Sequence, residues 1–214
     1  QNRSRKTHEY FNGRIIRVKK INLGFKKIMK LEIQQHHFTE LEYLAFELDS
    51  EIKHELIDGR IYDMSGGTNN HNDISMNIMG YLFVQLGHSL CKPCNSDTKV
   101  KVGNNFFYPD VMVKCETNES GQDHFITSPV IIFEVLSKST SKKDRTKKLL
   151  SYLNIESLQA YVMVEQSKML VEVLRKSDGF KPCYYFKDDS IPFKTPDISL
   201  SVNDIYAGLD ISEK

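Results

Sequence analysis

Val130-Ile131-Ile132-Phe133-Glu134-Val135-Leu136 is apolar at every position but one. A strand with one wet face alternates apolar and polar residues. Here both alternating sets are hydrophobic, which predicts a central strand covered on each side. Glu134 is the exception, since a lone carboxylate in such a strand is costly to desolvate. It needs a partner, a cation or a cleft. Tyr108-Pro109-Asp110-Val111-Met112-Val113 poses the same problem with Asp110. Proline cannot donate to a ladder, so Pro109 fits a strand's start or edge and Asp110 is expected just inside the sheet. Two acids in neighbouring apolar strands suit Mg²⁺, whose ligands are hard oxygens. Either acid alone could instead pair with a buried Lys or Arg. Their joint occurrence points to a site.

Working outward, Val130–Leu136 is the last of three β-like stretches, after Thr98–Val102 and Phe106–Val113. A polar loop, Lys114 to Ser128, joins the second to the third, and Cys91–Ser96 reads as a turn before the first. Upstream, Thr39-Glu40-Leu41-Glu42 fits a capping box and opens a first helix ending near Asp49-Ser50. His54 to Met64 reads as a hairpin turning at Asp58-Gly59. A second helix is expected from about Asn72 to Leu86, with Ile74, Ile78, Met79, Leu82, Phe83 and Leu86 on one face. Downstream, a third helix spans about Ser141 to Leu153, followed by a hairpin of Tyr161–Val164 and Leu170–Leu174 through Gln166-Ser167-Lys168. Short strands and a closing segment around Leu200–Leu209 complete the chain. This order predicts one α/β (α+β) domain, a central mixed β-sheet flanked by helices.

The 214 residues suit a single core, and 40 % apolar with 27 % charged residues excludes a disordered chain. No apolar run approaches the roughly 20 residues that cross a bilayer. Arg3, Arg5 and Lys6 lead into a polar segment rather than a signal peptide, so a cytoplasmic location is expected. The net charge of +1 hides an asymmetry. Residues 1–30 hold ten Lys/Arg and one acid, and the remainder holds 19 against 27. A basic arm could bind phosphates, yet the body without it is acidic and lends no global support to DNA binding. Cys91 and Cys94 form a C-x-x-C, but no second ligand pair follows it and Pro93 and Asn95 suggest a turn. Reduced cysteines without a metal or redox role are therefore expected.

Two further residues extend the acidic pair. Lys148 lies on the helix after the Glu134 strand, four residues beyond Asp144 and four before Tyr152. From the edge of the core face it could reach back toward the acids, to orient a water or stabilise charge at phosphorus. The alternative is a solvated helix lysine, and residues 138–148 hold six Lys/Arg against one acid. Most of those are expected to be exposed or to touch phosphate. Glu55, in the first hairpin, reads from its neighbours as an exposed strand glutamate. His71, between Asn70 and Asn72, reads as a polar residue at a helix entry.

Taken in order, several segments carry a resemblance. They are Glu55-Leu56-Ile57-Asp58-Gly59, Met64-Ser65-Gly66-Gly67 with Asn70-His71-Asn72, and Ser96-Asp97-Thr98. Tyr108-Pro109-Asp110-Val111 follows, then Glu134-Val135-Leu136-Ser137-Lys138-Ser139-Thr140, then Asp144-Arg145 with Lys148-Leu149 and Tyr152. Over roughly residues 38 to 175 the chain resembles the Uma-two family, bacterial restriction-endonuclease-like proteins of the PD-(D/E)XK nuclease superfamily. The resemblance implies a restriction-endonuclease-like core. It also implies a metal site in which Asp110 is the first acid, Glu134 the second, the Val135 carbonyl a further ligand and Glu55 an additional acid. The superfamily lysine belongs two residues after Glu134, where this chain has Leu136. Lys148 is its natural replacement. Residues 1–30 fall outside the resemblance. Residue 1 is not Met and Met29 opens a more family-like stretch, so the arm reads as an extension outside the native product, ahead of one domain over 31–214.

The expected function is hydrolysis of phosphodiester bonds in DNA with Mg²⁺, or Mn²⁺ in its place, by Glu55, Asp110, Glu134 and Lys148. A homodimer is plausible because two sites related by a twofold axis cut both strands. The competing reading is a catalytically inactive nucleic-acid- or protein-binding module on the same fold. The reach of Lys148 discriminates between them.

Overall fold

The computed structural model describes residues 36–64, 66–115, 124–137 and 144–211, and the backbone of an N-terminal hairpin, β1 (His8–Phe11) with β2 (Arg14–Arg17). The rest of the basic arm, residues 116–123 of the polar loop and residues 141–143 of the expected third helix lie outside these.

Helix α1 (Glu40–Leu48) starts where the capping box places it, with Thr39 and Glu42 exchanging side-chain and backbone hydrogen bonds. β3 (His54–Ile57) and β4 (Arg60–Asp63) form the hairpin, turning through Asp58 and Gly59, both at positive φ. At Gly59 this leaves no room for a side chain, because a Cβ would stand 2.1 Å from the His37 ring. Helix α2 (Asn69–Leu86) begins three residues earlier than the periodicity suggests, since the Thr68 hydroxyl caps it by accepting from the His71 N–H. Its Ile74, Ile78, Leu82 and Leu86 are buried, whereas Phe83 is exposed.

Several expectations fail between residues 91 and 128, that of reduced cysteines among them. The Cys91–Ser96 turn is largely a strand, β5 (Lys92–Asn95), and Cys91 is disulfide-bonded to Cys115. β5 pairs with Lys92 opposite Lys114, so the residues just beyond each end, Cys91 and Cys115, face each other. The C-x-x-C partner, Cys94, forms no disulfide. β6 (Lys99–Val102) follows as expected. The single stretch Phe106–Val113, however, divides at Pro109 into β7 (Asn105–Phe107) and β8 (Val111–Lys114), which belong to different sheets. Asp110 therefore stands at the break, immediately before β8 rather than inside a strand. Within the expected loop, β9 (Phe125–Ile126) pairs parallel to β6.

β10 (Pro129–Leu136) is central, as its composition demands. It lies between β8, antiparallel, and β11 (Ala160–Glu165), parallel, with β12 (Leu170–Arg175) and β13 (Pro182–Phe186) continuing antiparallel. With β5 on the far flank this makes a mixed six-stranded sheet, and β4-β3-β7-β6-β9 make a second of five strands. The third helix is a π-helical turn, Asp144–Lys148, leading into a short α3 (Leu149–Tyr152). β14 (Ser190–Lys194), β15 (Asp197–Ser201) and α4 (Val202–Ile205) close the chain.

The two faces of β10 enter different cores. Ile131, Phe133 and Val135 pack with the buried face of α2 and with the β14–β15 hairpin. Ile132 and Leu136 pack with Tyr152, Ile155, Leu158 and Tyr161. Glu134 points to this second face. Among the described residues no helix is long and apolar enough to cross a membrane.

Candidate active site

Register brings the two acids of the sheet together. β10 and β8 pair with Ile132 opposite Met112 and Phe133 opposite Val111. One step further along the same antiparallel register sets Glu134 opposite Asp110, and directly opposed residues share a face. Asp110 Oδ2 accepts a hydrogen bond of 2.7 Å from the Val135 N–H, which pins its side chain beside Glu134.

Lys148 reaches the site. Its Nζ lies 2.9 Å from Glu55 Oε1, 3.0 Å from Glu134 Oε1 and 3.3 Å from Asp144 Oδ1, and its side chain is only 6 % exposed. The π-helical turn accounts for this reach, because it stacks Asp144 under Lys148 and aims both at the sheet. Neighbouring cations hold the turn in place. Arg145 bridges Glu165 and Glu172 on the β11–β12 hairpin, and Lys147 meets Asp58 at 2.9 Å. Arg145 is thus half-buried among carboxylates, against the expectation of an exposed or phosphate-bound residue, whereas Lys147 is exposed as expected and meets Asp58 at the surface. Glu55, expected to be exposed, is 2 % exposed and accepts from the Tyr108 N–H at 3.4 Å. All four residues of β3 are buried, which decides this, and no local pattern announced it.

Electrostatics divide the carboxylates. Burial pushes the Glu134 carboxyl well above its ordinary range, and the charges of Asp144, Asp110 and Glu55 add to this while Lys148 opposes it. Burial works against the Lys148 ammonium too, but Glu134, Glu55 and Asp144 outweigh it and keep the lysine charged. Tyr152 OH donates 3.0 Å to Glu134 Oε1, the oxygen that Lys148 also contacts. Tyr161 OH donates to the Asp144 carbonyl, anchoring the turn from below.

Three participants were not singled out as site residues from the sequence. Asp144 and Tyr152 flank Lys148 at four-residue spacing, a signal that was present but ambiguous. His71 read as a helix-entry residue, yet its Nε2 lies 3.2 Å from Asp110 Oδ2. That hydrogen bond raises the His71 pKa despite opposing burial. Its Nδ1 packs against Gly67, where a Cβ would come within 2.6 Å.

Asp110 and Glu134 offer the carboxylate oxygens that Mg²⁺ prefers, and Lys148 and Tyr152 both address one oxygen of Glu134. Among the described residues no three His, Cys, Asp or Glu side chains converge as a ready-made cage. A dedicated cage is not required for Mg²⁺, which usually rests on one or two carboxylates and keeps several waters. The donor set fits the ion.

Known proteins resemble the chain along most of its length. It is 35 % identical over 172 residues to the "Uncharacterized protein slr1290" of Synechocystis sp., covering 78 % of this chain and 90 % of that one. A second protein of the same organism, "Uncharacterized protein sll1609", is 32 % identical over 142 residues, 64 % of this chain and 80 % of that one. Among solved structures, a protein of Anabaena variabilis titled "putative nuclease belonging to DUF820" superposes with a TM-score of 0.68 at 19 % identity. The match covers 79 % of this chain and 98 % of that chain, and it shows that the two share a fold. Residues 40–204 match the family described as "Uma2: Putative restriction endonuclease", and the chain belongs to that family.

Proposed function

We propose that the protein is a Mg²⁺-dependent endonuclease acting on DNA. The observation that carries this reading is the meeting of Lys148 with Glu134 and Glu55 on the sheet face that Asp110 borders. It restores a lysine to the acidic pair although Leu136 fills the usual position. Asp110, Glu134 and the Val135 carbonyl would hold the ion. When bound, Mg²⁺ lowers the pKa of a coordinated water and neutralises charge on the phosphate oxygens.

The protein's own groups do the rest. Asp110 is oriented through one oxygen, Oδ2, which meets both the Val135 N–H and the His71 imidazole. Lys148, held charged by its carboxylates, places a cation beside Glu134 for the negative charge that develops at phosphorus. Glu55 fixes the lysine and offers an acceptor for a water proton. Tyr152 holds Glu134 through the oxygen that Lys148 also contacts.

One observation favours the inactive-module reading. Lys148 already contacts three carboxylates, which is also what a purely structural buried ion pair looks like. Plasmid nicking with Mg²⁺ or Mn²⁺ separates the two, comparing wild type with Asp110→Asn and Lys148→Ala. Metal-dependent nicking by wild type and none by Asp110→Asn supports the endonuclease. Equal residual nicking in all three proteins refutes it and leaves the binding module.

A further inference from the structure

A second buried polar network lies next to the site, centred on Glu47 in the last turn of α1. The Glu47 side chain is 6 % exposed. Its Oε1 accepts from the His54 N–H at 2.9 Å and from the Tyr108 OH at 2.7 Å, and its Oε2 lies 3.0 Å from His54 Nδ1. Tyr43 OH donates 2.7 Å to the His54 carbonyl, and Lys99 Nζ donates 3.2 Å to the Tyr108 hydroxyl. Burial works against the Glu47 charge, but the bonds from His54 and Tyr108 outweigh it and hold the carboxyl below its ordinary range.

The residues gripped by this carboxylate have telling neighbours. His54 immediately precedes Glu55, and Tyr108 stands two residues before Asp110. The Tyr108 N–H also donates to Glu55 Oε1. The backbone alone holds these two segments weakly, because β3 and β7 pair through a single register pair, Leu56 with Phe106. A longer ladder would fix their relative slide. Here a shared carboxylate supplies a bond to each segment.

We propose that Glu47 is a positioning residue, clamping His54 and Tyr108 so that Glu55 and Asp110 are presented to one metal-centred site. The inference rests on the endonuclease reading for what the presented acids do, and on geometry alone for the clamp. Replacing hydrogen-bonded partners behind metal ligands typically costs 10–100-fold in metal affinity.

The test is Mn²⁺ binding by calorimetry and Mg²⁺-supported nicking, on the full chain, for wild type, Glu47→Ala, Glu47→Gln and Tyr108→Phe. Glu47→Ala is expected to weaken Mn²⁺ binding by about 10–100-fold and nicking in parallel. Glu47→Gln is expected to stay close to wild type, since its carbonyl keeps both acceptor bonds and its amide can donate to His54 Nδ1. That rescue distinguishes geometry from charge. Wild-type Mn²⁺ affinity in a folded Glu47→Ala protein overturns the clamp, and so does equal damage by Gln and Ala. If Glu47→Ala does not fold, Tyr108→Phe decides, with weakened Mn²⁺ binding expected and unchanged binding refuting. A wild type that neither binds Mn²⁺ nor nicks defeats the endonuclease reading instead. Crystal structures then judge the clamp: Glu55 and Asp110 unmoved in the variant would reject it, and displaced it would stand.

Discussion

Glu134 keeps its place in the central strand at a cost in stability. Its folded-state pKa is raised by burial, so above the ordinary value of 4.5 the unfolded chain releases a proton that the folded chain retains. Stability from this group is therefore full below pH 4.5 and declines as pH rises toward the folded value. Glu134→Gln removes that decline while leaving an oxygen for Lys148 and Tyr152. We expect it to stabilise the protein at neutral pH by about 1 kcal/mol, roughly 2–4 °C in Tm, while abolishing nicking. A lower Tm by calorimetry would count against this account. Lys148→Ala has the opposite effect, leaving buried carboxylates without their cation at a cost of about 3–5 kcal/mol, measurable by urea unfolding. Glu134 was legible because a carboxylate in an apolar strand announces a need. Its partners were less so. Glu55 entered only through the family resemblance, and Asp144 and His71 come from two other elements that only the folded chain brings near.

Elements deliver these residues, and α2 shows how narrowly. Its first turn carries His71 to Asp110, and Gly67 leaves the room for the ring. Gly67→Ala would set a Cβ 2.6 Å from His71 Nδ1, so the imidazole must withdraw from Asp110. In metal-free protein the His71 pKa, raised by that contact, should fall toward its ordinary 6.5, and nicking should drop about 10-fold. Proton NMR of the imidazole follows the first effect, and an unshifted titration would show that the loop absorbs the methyl. Helix α1 has its own signature. The Glu47 carboxyl is depressed, so the stability it adds is present above pH 4.5 and lost as pH falls through the folded value. Tm measured from pH 6 to 3 should fall less steeply in Glu47→Gln than in wild type. Such elements were largely legible where a periodicity or a cap marks them, as in α1, the first hairpin and β10. The break at Pro109 was half legible, since the proline announces a strand's start there but not that the residues before it belong to another sheet. Only the assignment of β7 and β8 to different sheets shows that the chain changes partner there. The π-helical turn was likewise hidden, because the basic stretch 138–148 suggests an exposed helix until Arg145 and Lys148 are seen to meet buried acids.

At the scale of the molecule, stability and chemistry are anchored at opposite ends of β8. Asp110 precedes this strand and Cys115 follows it, about 17 Å apart at the usual rise of an extended chain. The Cys91–Cys115 bond ties the flanking strand β5 to the sheet and closes a loop across a separation of 24 residues. A loop of that length restricts the unfolded chain by an amount equivalent to about 3 kcal/mol. Reduction should therefore lower Tm by roughly 6–12 °C in a chain of this size. A Cys91→Ser/Cys115→Ser variant should unfold near the reduced temperature and ignore reductant, while Cys94 and Cys183 contribute nothing to the difference. Well below Tm, nicking should continue in reduced protein, because β8 keeps its ladders to β5 and β10 and so keeps Asp110 opposite Glu134. Melting curves with and without reductant test the first half, and nicking at 25 °C under the same two conditions tests the second. Loss of nicking in reduced but folded protein would mean that the bond sets the position of Asp110 along β8, and that the two ends are coupled through the strand.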